Sequence, residues 1–111
     1  MFNPNEYLKV VEEFKTNDML MKCAISLIEK GMLEFARAPR LPWVEIVIPA
    51  KMGKELRTKV SEKYKKSGWD MVASVQEEEE TRFVFCTQEM KIQWQNLRTA
   101  ANYKYNDWLI I

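Results

Sequence analysis

Four consecutive glutamates, Glu77, Glu78, Glu79 and Glu80, form the longest run of one charge in this 111-residue chain. Clustered carboxylates are what a hard divalent cation takes as ligands. These lie in SVQEEEETRFVF, residues 74–85, between two stretches that alternate apolar and polar side chains. No Asp-x-Asp-x-Asp-Gly pattern supplies a cage, and carboxylates on successive residues of a tight turn point in different directions. The expected role is a solvated hairpin tip that also discourages pairing at a sheet edge. A hook for a basic partner is the alternative.

Other catalytic chemistry is largely excluded. The chain contains no histidine, which removes Ser-His-Asp and Cys-His catalysis, histidine metal sites and the usual near-neutral acid or base. Three glycines, with no GxGxxG or GxxxxGK spacing, leave no phosphate-cradling loop. Glu13-Phe14-Lys15 and Glu89-Met90-Lys91 match a nuclease-like ExK spacing, but neither follows a strand with a suitable upstream Asp. Cys23 and Cys86 are not in a CxxC pair and read as reduced, buried small hydrophobes. A protein without enzymatic activity, cofactor or metal is therefore expected, in a reducing cytoplasm.

Electrostatic function must be local, because 17 basic and 16 acidic residues give a net charge of only +1. The basic candidates are Lys51, Lys54, Lys59, Lys65 and Lys66, within a segment (residues 50–66) carrying seven cations against two acids. Such a face could contact nucleic-acid phosphates without sequence preference. A solvated helix face laced with Glu55 and Glu62 is the competing explanation.

The elements that must position these residues are legible from period and punctuation. Asn3-Pro4 is a helix start, followed by Tyr7, Leu8, Val11 and Phe14 at helical spacing. Thr16, Asn17 and Asp18 interrupt the pattern, and Leu20, Ala24, Leu27 and Ile28 restart it. Gly31 is the expected end unless the helix continues through Met32 and Phe35. Pro39 and Pro42 mark an extended connector. Residues 43–48, WVEIVI, are the first strand. Met52, Leu56, Val60 and Tyr64 then define a helix that Gly68 ends. Residues 69–75 and 81–87 alternate as a hairpin, with Trp69, Met71, Ala73 and Val75 on one face and Phe83 and Phe85 on one face. Met90, Trp94, Leu97 and Ala101 mark a last helix to about Asn102.

The expected fold is α+β, in the order α-α-β-α-β-β-α, with a three-stranded mixed sheet packed against helices in a single domain. Its parts are a helical pair (residues 4–37), a β-α-β-β unit (43–87) and a C-terminal helix with an aromatic tail (88–111). The hairpin tip should lie level with the start of the central helix, near Lys51 and Lys54. The sheet has apolar residues on both faces, so the helical pair, the tail or a partner chain must cover the second one. No apolar run approaches the roughly 18 to 20 residues of a membrane span, so no membrane partner is expected.

The stretch KYKKSGWDMV, followed by TRFVF, resembles a pattern in small accessory α+β proteins of tailed bacteriophages. There a strand and a lysine-rich helix ending in Gly-Trp lead into a hairpin with alternating Thr, Phe and Phe. The resemblance covers residues 43–87. It implies a protein of the host cytoplasm that binds host or phage macromolecules, as a binding or inhibitory module, rather than turning over a substrate. It carries over no functional residues.

The contact region expected for such a module is the aromatic tail, Tyr103, Tyr105, Trp108 and Ile111, since interfaces favour Tyr and Trp. The partner would be a host or phage protein, with a homodimer compatible with the same composition. Nucleic acid bound by the lysine-rich helix is the rival reading. The tail could equally fold back as core.

Overall fold

Asn3 caps the first helix: its Oδ1 accepts the Glu6 N–H at 2.8 Å, and Pro4 takes the first helical position, where a missing N–H costs nothing. A computed structural model describes residues 3–15, 17–100 and 108–111, with side chains at 3–9, 19–97 and 108–111. Within these are α1 (Pro4–Lys15), α2 (Asn17–Arg37), β1 (Val44–Ile48), α3 (Lys54–Lys66), β2 (Met71–Gln76), β3 (Thr81–Cys86), α4 (Gln88–Ala100) and β4 (Leu109–Ile110).

Gly31 does not end α2. The helix runs on to Arg37 because Gly31 lets it lie directly against β1: a Cβ at that position would sit 2.9 Å from Ile46 Cδ1. Gly68, with φ +121°, does terminate α3. The Trp69 N–H bonds to Tyr64 O at 3.3 Å and the Gly68 N–H to Lys65 O at 3.1 Å, the paired bonds of a Schellman cap. Met52 is fully buried but precedes the helix, whose N-cap is Gly53.

The sheet differs from the three-stranded mixed sheet expected. It has four strands in the order β1-β3-β2-β4, and every neighbouring pair is antiparallel. β1 and β2 do run in the same direction across α3, but β3 inserts between them, so no parallel pair forms. The fourth strand comes from the tail. Val72 and Ile111 exchange N–H···O=C bonds at 3.2 and 3.0 Å, which adds β4 to the free edge of β2.

Each face of the sheet carries its own core. On one, Ala24 and Ile28 of α2 and Leu56, Val60 and Tyr64 of α3 close over Ile46, Ile48, Val72, Phe83 and Phe85. Phe85 meets Tyr64 edge-on at 5.0 Å and stacks with Phe83 at 5.9 Å. On the other, Trp94 of α4 and Trp108 cover Met71, Ala73, Val75, Val84 and Cys86 beside Trp43. α4 and the tail thus cover the second face, while α2 shares the first with α3. Trp69 departs from the expected alternation: it precedes the strand and packs on Phe85 at 5.8 Å, on the α3 side.

Thr81 joins hairpin to helix. Its Oγ1 accepts the Met52 N–H at 3.0 Å and donates to Ala50 O at 2.7 Å. The end of the hairpin is therefore tied to the segment before α3, as the matched lengths of strand and helix require.

Candidate functional site

The four glutamates do not act together. Glu77 N–H bonds to Glu80 O at 2.8 Å and closes the turn, while Glu78 and Glu79 are exposed. The Glu77 side chain turns back to Arg82, whose Nε donates to Oε1 at 2.6 Å, and Arg82 Nη1 reaches Glu45 Oε2 at 3.0 Å. Burial alone would lower the Arg82 pKa, but the Glu77 hydrogen bond and the two carboxylate charges outweigh it and raise the pKa. One acid of the run therefore serves a three-residue ion network linking β1, β3 and the turn. Among the described residues no three cysteine or acidic side chains converge as a metal cage.

The two thiols differ in access. Cys86 is fully buried in β3, and desolvation pushes its pKa up to about 12. Cys23 is half-buried on α2. Burial, reinforced by a 2.9 Å hydrogen bond to Glu29, likewise raises the Tyr64 phenol.

Lys51, Lys54, Lys59, Lys65 and Lys66 are all exposed, but they do not form one field. Wound at about 100° per residue, α3 places Glu55 and Glu62 along the ridge opposite its buried face. Lys54 and Lys65 fall on one flank of that acidic line, and Lys59, Lys63 and Lys66 on the other. Lys59 lies 3.7 Å from Glu55, and Lys65 Nζ donates to Asp70 O at 2.8 Å. Arg57, the seventh cation of the segment, is buried against β2, with Nη1 3.0 Å from Ser74 O.

Of the four aromatic and apolar tail residues, two lie within the described structure. Trp108 is 8% exposed and meets Trp94 edge to face, with centroids 5.2 Å apart. Ile111 is half-buried beside Val72 in the sheet. Trp108 thus lies in the core of the second sheet face, and Ile111 stays partly exposed at the sheet edge. Tyr103 and Tyr105 fall outside the described residues.

Among the described residues, an open apolar surface lies where the connector of residues 38–43 leaves α2. A groove of about 450 Å³ runs between Met32 and Phe35 of α2, Pro42 and Trp43 of the connector, Trp69 and Met90. Its walls are almost entirely carbon and aromatic, with two methionines that adapt readily to the shape of a bound side chain. Phe35 and Leu41 are shared with a second groove of about 470 Å³, which follows the outer side of β1 past Leu27, Lys30, Glu34 and Val47.

Sequence reasoning assigned Trp43 to the first strand and Trp69 to one face of the hairpin, and missed the groove that brings them together. Its lining comes from α2, the connector, Trp69 and Met90, segments distant in sequence whose convergence no local period encodes. No protein-family model, curated protein or solved structure matches the chain.

Proposed function

We propose that this chain is a non-catalytic binding or inhibitory module that occupies a surface of another protein, in the manner of the phage accessory proteins its strand, helix and hairpin resemble. The observation that carries the reading is the apolar groove at the α2–connector junction. Aromatic anchors in desolvated pockets supply most of the affinity at protein interfaces, and half-buried Phe35 and Trp69 provide two aromatic walls in one place, backed by buried Trp43. The ligand that suits such a groove is an apolar segment of a partner protein. The lysine flanks of α3 give less support to nucleic acid, because Glu55 and Glu62 divide them.

Ala36 is exposed and lines the groove without belonging to either core. Affinity capture from a bacterial lysate with wild-type protein and with Ala36→Glu tests the reading. A partner retained by the wild type and lost by Ala36→Glu, at unchanged circular dichroism and Tm, is the expected result. Equal capture by both forms places the contact elsewhere, and no capture removes the binding reading's main support.

A further inference from the structure

β1 is an edge strand, since it pairs with β3 alone and nothing follows it in the strand order. Which of its backbone groups face outward follows from the alternation of an antiparallel ladder. The Glu77 N–H bonds to Glu80 O at the turn, so Val75 and Arg82, then Ala73 and Val84, exchange hydrogen bonds within the hairpin. Thr81, Phe83 and Phe85, which alternate with these on β3, turn their N–H and C=O the other way. They bond to their β1 partners Ile48, Ile46 and Val44. Glu45 and Val47 are left with N–H and C=O groups pointing away from the sheet. The opposite edge agrees in parity: Val72 cannot bond to β3 in this register and bonds to Ile111 instead.

Beside those groups runs the groove of about 470 Å³. One wall is a stripe of α2, Leu27, Lys30, Gly31 and Glu34, at the spacing of a single helix face. The other is Glu45, Val47 and Arg82, whose side chains belong to the sheet face opposite Ile46. Because the lining takes in both faces, the groove opens at the level of the strand itself. Exposed edges are usually blunted by lysine, proline or shortness. β1 has five residues, VEIVI, and its one charge, Glu45, is engaged by Arg82. Val47 is 40% exposed, and so is Leu27 on the facing wall. Phe35 and Leu41 line this groove and the apolar one at the connector, so the two adjoin at the N-terminal end of β1.

We propose that this edge takes a lone extended, apolar segment of the partner protein, added antiparallel to β1 as a fifth strand of the sheet. The proposal rests on the binding-module reading and names the form of the ligand. α2 lies directly against β1 where Gly31 meets Ile46, so an incoming strand that carried its own helix on this face would run into α2. A bare strand does not: it lies about 4.8 Å from β1 in the plane of the sheet, and α2 meets only its side chains. Antiparallel addition is favoured because parallel pairing is slightly less stable per residue. The residues opposite Glu45 and Val47 then exchange two hydrogen bonds with each. Main-chain bonds supply the affinity of such a strand and its alternate side chains the selectivity. Those on one side pass Leu27 and those on the other meet Val47, which is why apolar residues suit both. An antiparallel segment runs toward the start of β1, so its C-terminal end is directed to the connector groove.

Short peptides selected on the immobilised full chain from a random display library serve as the probe, with amide hydrogen exchange followed by NMR. In the free chain the N–H groups of Glu45 and Val47 should exchange faster than those of Val44, Ile46 and Ile48. A selected peptide should slow Glu45 and Val47, and N-methylation of its residue facing either one should weaken binding about tenfold or more. Val47→Pro removes an outward N–H and none from the β1–β3 ladder, a position where an edge strand tolerates proline, and should weaken binding by a similar factor. Should Val47→Pro fail to fold, the N-methylated peptide decides on the wild type. Peptides that are lost with Ala36→Glu yet leave Glu45 and Val47 exchanging freely overturn the added strand and keep the groove reading. Uniform exchange along β1 in the free chain overturns it as well, as does binding indifferent to N-methylation. A library that yields no binder overturns both.

Discussion

Trp94 and Trp108 meet with ring centroids 5.2 Å apart and planes 81° apart, over the sheet face that α2 and α3 leave uncovered. One comes from α4 and the other from the strand end of the chain, so this contact fastens the C-terminal residues to the core. Edge-to-face aromatic pairs contribute about 0.5 to 1.5 kcal/mol beyond the area they bury. Trp108→Ala should therefore destabilise the fold by about 3 to 5 kcal/mol, a loss of more than roughly 10 °C in Tm for a domain of this size. Thermal unfolding followed by circular dichroism checks it. An unchanged Tm would return Trp108 to the role of a free contact residue.

Cys86 makes stability fall at alkaline pH. Its pKa is about 12 in the folded chain against 9.0 ordinarily, so between those values the unfolded thiol ionises and the folded one does not. The folded state then holds more protons, and stability declines as pH rises. The contribution is complete below pH 9 and lost by about 12. Tyr64, raised in the same direction, adds to the alkaline limb. Denaturation of Cys86→Ala across this range should show a shallower decline than wild type, and iodoacetamide should modify Cys23 before Cys86 in the native protein.

Arg57 is a buried cation whose Nη1 donates to the carbonyl and hydroxyl oxygens of Ser74, and burial lowers its pKa. Arg57→Ala strips the donor from Ser74 and should cost about 1 to 3 kcal/mol. Arg57→Met should recover most of that, because apolar volume replaces a charge held out of water. Urea midpoints at constant m compare the three proteins. A wild-type midpoint for Arg57→Ala would show that the contact contributes nothing.

The division of the lysines by Glu55 and Glu62 predicts weak nucleic-acid binding. Mobility shifts with single- and double-stranded DNA and RNA should show no complex near physiological salt. A retarded band, lost in the triple variant Lys54→Glu, Lys59→Glu, Lys66→Glu, would favour the rival function.

The strand, helix and hairpin were legible because each has its own period: Leu56, Val60 and Tyr64 recur every four residues, and Phe83 and Phe85 every two. Period assigns a residue to a face, and the Phe83 and Phe85 face is indeed core. It does not say which strand lies alongside, so the insertion of β3 between β1 and β2 was invisible. β4 was invisible for another reason, since two residues carry no alternation. Gly31 looked like a helix end because the chain is read locally, whereas its partner Ile46 is distant in sequence. The apolar groove and the Glu45–Arg82–Glu77 network share that obstacle: both are made by segments that meet only after folding.

Site-specific photocrosslinking in bacterial cells tests the proposed binding role most directly. p-Benzoylphenylalanine at position 36 lies on the apolar groove, and at position 63 it lies on the exposed side of α3. The binding-module account predicts a discrete crosslinked product with a second protein from position 36 and none from position 63. A product from position 63 alone, or from neither position, would contradict it.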